Sequence, residues 1–250
     1  MAAPAGALDL QGHRWARGLA PENTIPAFAV ALSIGVTTLE LDVGVTRDDV
    51  IVVSHDRRLN PDHTRDARGQ FLESPGPPIR SLTLGELARY DVGALKPGTR
   101  YAADFQSQVP APGTRIPTLA EVIALVRKSG NERVRFNIET KLSPLTPEES
   151  PAPERFAQLL VDLLRKEGVA ARSTVQSFDW RTLKHVQILA PEIGTSCLTR
   201  ERGRSGNLEP AQKGASPWLA GLDVDAFDGS VPRLVAAAGC RVWSPFFREV

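Results

Sequence analysis

Residues 37–56, TTLELDVGVTRDDVIVVSHD, contain two runs of branched apolar residues separated by a short polar segment. The runs at 37–45 and 50–55 predict two β-strands. Only a few residues, 47–49, separate them, whereas a parallel crossover needs a dozen or more, so the pair must form an antiparallel hairpin. If Asp48-Asp49 is a two-residue turn, residue i faces residue 97 − i, and Asp42 lies opposite His55.

Outward from this hairpin, strand-like runs alternate with longer amphipathic stretches, as expected for βα units around a largely parallel sheet. We predict strands at 8–13, 37–45, 50–55, 134–140, 173–178, 193–198 and 240–244. We predict helices at 24–34, 83–90, 118–129, 153–167, 179–190 and 231–238. Thr-x-x-Glu capping boxes at Thr83 and Thr118 mark two helix starts. The sequence therefore predicts an α/β fold.

Two stretches, 57–82 and 91–117, are dense in Pro, Gly, Arg and Asp and have no clear period. Loops of this length inside a compact domain are usually functional or mobile. We expect one domain over residues 8–250, a size that α/β barrels commonly reach, with an irregular inserted lobe at about 57–117.

Charge and hydropathy exclude several classes of partner. The 30 basic and 29 acidic residues leave a formal charge of +1, which gives no field to attract nucleic acid. The longest apolar run, 27–39, is too short to span a bilayer and is followed by Glu40, so we expect a soluble protein. Cys197 and Cys240 have no metal-ligand spacing, and we expect two buried free thiols. Oligomeric state stays open.

The first seven residues, MAAPAGA, lack the basic and apolar regions of a signal peptide as they stand. They could be the remnant of one. On that basis a periplasmic or secreted location is slightly favoured over a cytoplasmic one, and the compartment stays open.

Glu40 and Asp42 alternate on one predicted strand, so their carboxylates project from the same face. Two adjacent carboxylates repel each other unless a cation neutralises them. Hard oxygen ligands at this spacing suit Mg²⁺ or Ca²⁺ better than zinc. The alternative is a pair of solvated strand carboxylates.

A second strand repeats this arrangement, with Asn137, Glu139 and Lys141 on one face. A polar face on a strand between helices must line a wet cavity, unless the strand is an exposed edge. Catalytic residues of barrel enzymes come from the C-terminal ends of several strands. Since the hairpin places His55 beside Asp42, we expect His55 to be functional. No predicted carboxylate neighbour accompanies His63 or His185, and we expect these two to be surface or structural residues.

Taken together, the motifs resemble those of the glycerophosphodiester phosphodiesterases, within the phospholipase C-like phosphodiesterase superfamily. The matching residues are His13-Arg14, PENT at 21–24, Glu40-x-Asp42, Thr46-x-Asp48, His55-Asp56, Glu139-x-Lys141 and Ser177-Phe178-Asp179. The resemblance implies a TIM barrel with an inserted lobe after the second strand region. It also implies a small glycerophosphodiester as the substrate.

The resemblance further implies a role for each site residue. Glu40, Asp42 and Glu139 would hold one divalent cation, Ca²⁺ or Mg²⁺. His13 and His55 would be the acid/base pair, and Arg14 and Lys141 would contact the substrate phosphate. The glycerol 2-hydroxyl would attack phosphorus and water would open the cyclic product, releasing glycerol 3-phosphate and an alcohol.

Two positions depart from the family pattern. Trp15 stands where the family has a glycine after His-Arg. At the other end, residues 241–245 resemble the seventh barrel strand, and an eighth strand is expected to be missing from the chain. Two alternatives follow. One is a related lipid-head phosphodiesterase with an apolar mouth formed by Trp15, Trp243, Phe246 and Phe247. The other is a non-catalytic barrel that binds metal or a phosphoester.

Overall fold

A seven-stranded β-sheet is the centre of the fold. The computed structural model describes residues 8–201, 206–208 and 214–249, apart from the side chain of Trp15. The strands are β1 (Gln11–Gly12), β2 (Thr38–Val45), β3 (Ile51–Val53), β4 (Arg135–Thr140), β5 (Ser173–Ser177), β6 (Gly194–Thr199) and β7 (Val242–Pro245). They are ordered β1-β2-β4-β5-β6-β7 in the sheet, with β3 paired to β2. Only the β2–β3 pair is antiparallel among these described strands.

The helices lie where the sequence predicts them, with one addition. They are α1 (Ile25–Ile34), α2 (Leu84–Leu87), α3 (Arg100–Asp104), α4 (Leu119–Lys128), α5 (Pro153–Lys166), α6 (Trp180–Leu189) and α7 (Val231–Ala237). Helix α3 was not predicted. Both capping boxes are present at the starts of α2 and α4. No helix in the described part of the chain is both long and apolar enough to cross a bilayer.

The main core lies between the sheet and its helices. One side of β2 contributes Leu39, Leu41 and Val43, which are fully buried. The other side of β2 carries Glu40 and Asp42, also buried. This alternation follows from the two-residue period of a strand. It leaves the acidic side chains on the face of the sheet opposite to the helices.

The hairpin forms as predicted, but its register differs by one residue. The pairs are Val43 with Val53, Gly44 with Val52, and Val45 with Ile51. The loop is longer than a two-residue turn because Asp49 adopts a left-handed conformation (φ 59°) and adds one residue to it. Asp42 therefore lies opposite Ser54, whose N–H donates to the Asp42 carbonyl at 3.0 Å. The predicted Asp42–His55 pairing is wrong.

Residues 57–117, which we call the inserted lobe, lie between β3 and α4 and supply most of a second apolar cluster. This cluster consists of Val52, Leu59, Ile79, Leu87, Val92 and Ile116. Because Val52 belongs to β3, the cluster is continuous with the hairpin. The lobe is therefore anchored to the sheet beside the ends of β2 and β4.

The two cysteines form a disulfide, Cys197–Cys240, contrary to the expectation of free thiols. Cys197 lies on β6 and Cys240 comes just before β7. The parallel pairing of β6 with β7 brings the two Cα atoms to 5.8 Å, a separation that a disulfide requires. Sequence spacing could not reveal this, since 43 residues separate the two positions.

Removing the disulfide should destabilise the protein. Closing a loop of 43 residues restricts the unfolded chain and stabilises the folded state by about 4 kcal/mol on the chain-entropy estimate. For a chain of this size, that corresponds to a fall in melting temperature on the order of 10 °C. Calorimetric melting of the oxidised wild type and of the double variant Cys197→Ala/Cys240→Ala measures this fall in melting temperature. Reductant should lower the melting temperature of the wild type and leave the double variant unchanged; equal melting of reduced and oxidised wild type would contradict the bond.

Candidate active site

One cavity of about 850 Å³ is lined by all seven residues that the sequence singles out. These are His13, Arg14, Glu40, Asp42, His55, Glu139 and Lys141. They come from β2, from β4, and from the segments that directly follow β1, β3 and β4. Parallel pairing places the C-terminal halves of neighbouring strands side by side, as Asp42 opposite Glu139 illustrates.

Three carboxylates form the base of this cavity. Glu40, Asp42 and Glu139 are buried, and one oxygen of each lies within 4.8 Å of the others. Glu40 is held in place from two sides: the Arg14 backbone N–H donates to its Oε2 at 2.9 Å, and the Gln176 amide donates to its Oε1 at 2.8 Å. The cluster is therefore fixed by the sheet and by the turn after β1.

Two cationic side chains partly neutralise the cluster. The Lys141 ammonium lies 2.7 Å from Glu139 Oε1 and 3.2 Å from Asp42 Oδ1. The Arg14 guanidinium lies further away, with Nε 3.7 Å from Asp42 Oδ2. Burial alone would lower the pKa of Lys141, but the two carboxylates outweigh it and raise that pKa, so the lysine stays charged.

The donor set fits a hard divalent cation. Burial, and then the charge of Asp42, raise the pKa of Glu40 to about 8. Burial also raises the pKa of Glu139. The Asp42 carboxyl has its pKa held below the usual range because Lys141, His55 and Arg14 outweigh the effect of burial. Its buried Oδ2 has no hydrogen-bond partner among the described residues. Lys141 and Arg14 therefore neutralise the three carboxylates only in part. A divalent cation would supply the missing positive charge, and carboxylate oxygens are the ligands that Mg²⁺ and Ca²⁺ prefer.

A strained turn after β1 carries the predicted phosphate-binding arginine. Arg14 (φ 45°) and Ala16 (φ 77°) both adopt left-handed conformations, which are costly for residues other than glycine. They lie on either side of Trp15, the position where the family pattern has glycine. The side chain of Trp15 is outside the described part of the structure, and its position at the mouth of the barrel stays a prediction.

His55 reaches the cavity with a fixed ring orientation. Its Nδ1 lies 2.9 Å from Asp56 Oδ1, and the Asn60 amide donates to Asp56 Oδ2 at 2.7 Å. Burial opposes ionisation of Asp56, but its contacts with His55, Asn60 and His63 together outweigh burial and keep the pKa of Asp56 below the usual range. Because Asp56 is ionised, Nδ1 of His55 must carry the hydrogen.

His13 lies in a more positive environment. Burial of the imidazole, followed by the charges of Arg17 and Arg14, lowers the pKa of His13 to about 4. The ring is therefore neutral at pH 7 and can accept a proton. The two histidines differ accordingly: one is beside a carboxylate and the other beside two arginines.

The sequence analysis assigned no individual role to Gln176, Glu22 or Tyr101, which contribute to the site. Gln176 on β5 fixes Glu40 and also accepts a hydrogen bond from Asn137. A polar residue in the middle of a buried parallel strand was the available signal. Glu22, within PENT, accepts a hydrogen bond from Tyr101 of the inserted lobe and lies 3.5 Å from Arg14.

His63 was expected to be a surface or structural residue, and the surface alternative is wrong. Its side chain is 14% exposed, and Nε2 lies 3.9 Å from Glu22 and 4.0 Å from Asp56. His185, in contrast, lies on α6 and faces only Glu154 among the acidic residues in the described part. The lobe brings His63 back to the site, a contact that no local pattern indicates.

Comparisons with known proteins point to one family. The sequence profile of the "Glycerophosphoryl diester phosphodiesterase family" matches residues 13–243. The chain is 34% identical over 188 residues to "Putative glycerophosphodiester phosphodiesterase YhdW" of Bacillus subtilis, covering 75% of this chain and 64% of that protein. It thus spans slightly less than two thirds of the length of that relative.

Solved structures give the same result. A crystal structure described as "Putative glycerophosphoryl diester phosphodiesterase from Silicibacter pomeroyi DSS-3" superposes with a TM-score of 0.82 at 30% identity, covering 98% of this chain and 77% of that one. A phosphodiesterase from Oleispira antarctica, solved with the product sn-glycerol-3-phosphate, shares the fold with a TM-score of 0.58 at 21% identity, covering 96% and 84%.

The parallel α/β sheet and these comparisons therefore define the class of protein to which the chain belongs. The chain belongs to the glycerophosphoryl diester phosphodiesterase family. Its fold is the TIM-barrel type of that family. In the described residues the parallel strands form an open part of the barrel, with β1 and β7 at its two ends.

Glu40→Gln should abolish tight binding of Mg²⁺ or Ca²⁺, because the amide removes a charged oxygen ligand from the centre of the cluster. Isothermal titration calorimetry of the wild type and the variant measures this. Glu132→Gln, the same change at an exposed position, is the matched control and should bind as the wild type does. Equal affinity of wild type and Glu40→Gln would refute the site.

Arg17→Gln should raise the pKa of His13 from its value of about 4, since Arg17 is the largest charge acting against protonation. Titration of the His13 Cε1 proton resonance by NMR follows the change directly. The exposed Arg133→Gln should leave that pKa unchanged. A His13 pKa near the ordinary value of about 6.5 in the wild type would contradict the described environment.

Proposed function

We propose that this chain hydrolyses glycerophosphodiesters to glycerol 3-phosphate and an alcohol, with one divalent cation. The observation that carries the proposal is that a carboxylate cluster, two histidines and the positively charged side chains of Arg14 and Lys141 lie around one cavity. Family membership supports the substrate class. The product held by the Oleispira antarctica phosphodiesterase supports the glycerol phosphate half.

Glu40, Asp42 and Glu139 would hold the cation, and Mg²⁺ and Ca²⁺ both suit this set of oxygens. When bound, the cation offsets the negative charge that develops on the phosphate during the reaction. Lys141 stays charged between Asp42 and Glu139 and would supply positive charge on the side of the cavity where the phosphate binds.

The environments of the histidines suggest how the two proton-transfer tasks are divided. His13 is neutral at pH 7 and suits the base that takes a proton from the attacking hydroxyl. His55 donates through Nδ1 to Asp56, which orients its ring towards the cavity, and His55 is left for the acid that protonates the leaving alkoxide. Arg14 would bind the phosphate through its guanidinium while its backbone N–H holds Glu40.

The cavity rim supports a second candidate within the same chemistry, a lysophospholipid rather than a soluble diester. Phe246 and Phe247 line the cavity and pack edge to face at 4.8 Å, and Phe247 is 72% exposed. An exposed aromatic rim of this kind suits an acyl chain.

We also propose that the protein works in an oxidising compartment, periplasmic or extracellular. The Cys197–Cys240 disulfide supports this, because such bonds persist mainly where thiols are not kept reduced.

His13→Ala and His55→Ala should each lower kcat for glycerophosphocholine hydrolysis by about 10²–10⁴-fold, the usual effect of losing a general acid or base. Release of glycerol 3-phosphate with added Mg²⁺ or Ca²⁺ is the measurement, with lysophosphatidylcholine as the second substrate. His185→Ala is the matched control and should retain wild-type turnover.

Wild-type turnover by either site variant would remove that histidine from the mechanism. If the wild type bound the cation and glycerol 3-phosphate yet hydrolysed neither substrate, the barrel would be a non-catalytic binder.

A further inference from the structure

His63 and Tyr101 are two of the side chains through which the inserted lobe approaches the active site. Their rings lie 6.2 Å apart, and both approach Glu22 of the PENT turn. Neither side chain contacts the carboxylate cluster. The lobe therefore acts on the site through intermediate groups.

His63 faces two carboxylates at once. Its Nε2 lies 3.9 Å from Glu22 Oε1 and 4.0 Å from Asp56 Oδ2. This nitrogen is buried and has no hydrogen-bond partner among the described residues. A buried polar nitrogen is costly unless it is satisfied, and both possible acceptors are only slightly beyond hydrogen-bond distance.

Each of these carboxylates holds a different residue of the proposed chemistry. Glu22 lies 3.5 Å from the Arg14 guanidinium, the proposed phosphate ligand. Asp56 accepts from Nδ1 of His55, the proposed general acid. His63 therefore lies between the Glu22–Arg14 contact and the Asp56–His55 contact.

We propose that His63 is a positioning residue whose Nε2–H bridges Glu22 and Asp56, so that the inserted lobe orients Arg14 and His55 together. The proposal rests on the function proposed above. Without a donor between them, the buried Glu22 and the half-buried Asp56 would repel each other, and each could turn away from the residue it holds. The Nε2–H lies between the two carboxylates and offsets their repulsion.

A matched pair of variants isolates the N–H group. His63→Gln keeps an N–H donor at about the reach of Nε2, whereas His63→Met has a similar length and shape without one. We expect His63→Met to lower kcat/KM for glycerophosphodiesters by about 10–100-fold, as loss of an orienting partner does elsewhere, and His63→Gln to restore it to within about threefold of wild type. His185→Met is the surface control.

Two readouts separate positioning from general loss of structure. Cation affinity should be unchanged in both His63 variants because Glu40, Asp42 and Glu139 do not touch His63. Binding of glycerol 3-phosphate by calorimetry should weaken in His63→Met and recover in His63→Gln, since Arg14 is one of the groups positioned. Measurements are made below the melting temperature of every variant.

Equal kcat/KM for His63→Met and wild type would overturn the proposal, and so would equal losses in His63→Met and His63→Gln. A loss of cation affinity together with activity would assign His63 a general structural role instead. If the wild type hydrolysed no glycerophosphodiester, the proposed function would fail, and the glycerol 3-phosphate affinities would still decide whether His63 positions Arg14.

Discussion

Repulsion among Glu40, Asp42 and Glu139 is the constraint on which the rest of the site depends. One oxygen of each lies within 4.8 Å of the others, and two ionised carboxylates at about that distance repel by roughly 3 kcal/mol at an effective dielectric constant near 20. Burial and this repulsion raise the pKa of Glu40. The fold tolerates this because Arg14, Lys141 and Gln176 each contact at least one of the three carboxylates. A cluster held together against its own charge is already arranged for a cation, so little reorganisation accompanies binding.

Much of this arrangement was accessible from the sequence because it follows from local rules. Alternation along β2 and β4 separates Glu40, Asp42 and Glu139 from the apolar face. Short strands alternating with helices then require parallel pairing, and parallel pairing brings the ends of β2 and β4 together. The seven site residues line one cavity for this reason, and their catalytic roles remain predictions.

The errors all concern contacts that local patterns do not determine. The hairpin register depends on one left-handed residue, Asp49, and a single residue shifts every pairing. The disulfide depends on parallel pairing of β6 with β7. His63 depends on how an irregular lobe of about sixty residues folds back against the PENT turn, for which the sequence offers no period to follow.

The two ends of the open sheet bear on self-association in solution. An unpaired strand edge is a template for pairing with another copy, and long flat edges are the most hazardous. Here β1 has only two residues, and β7 has four and ends at Pro245, which has no N–H to donate. Within the described residues, each of these strands therefore offers few backbone groups to a neighbouring strand, although Val242 and Trp243 are exposed.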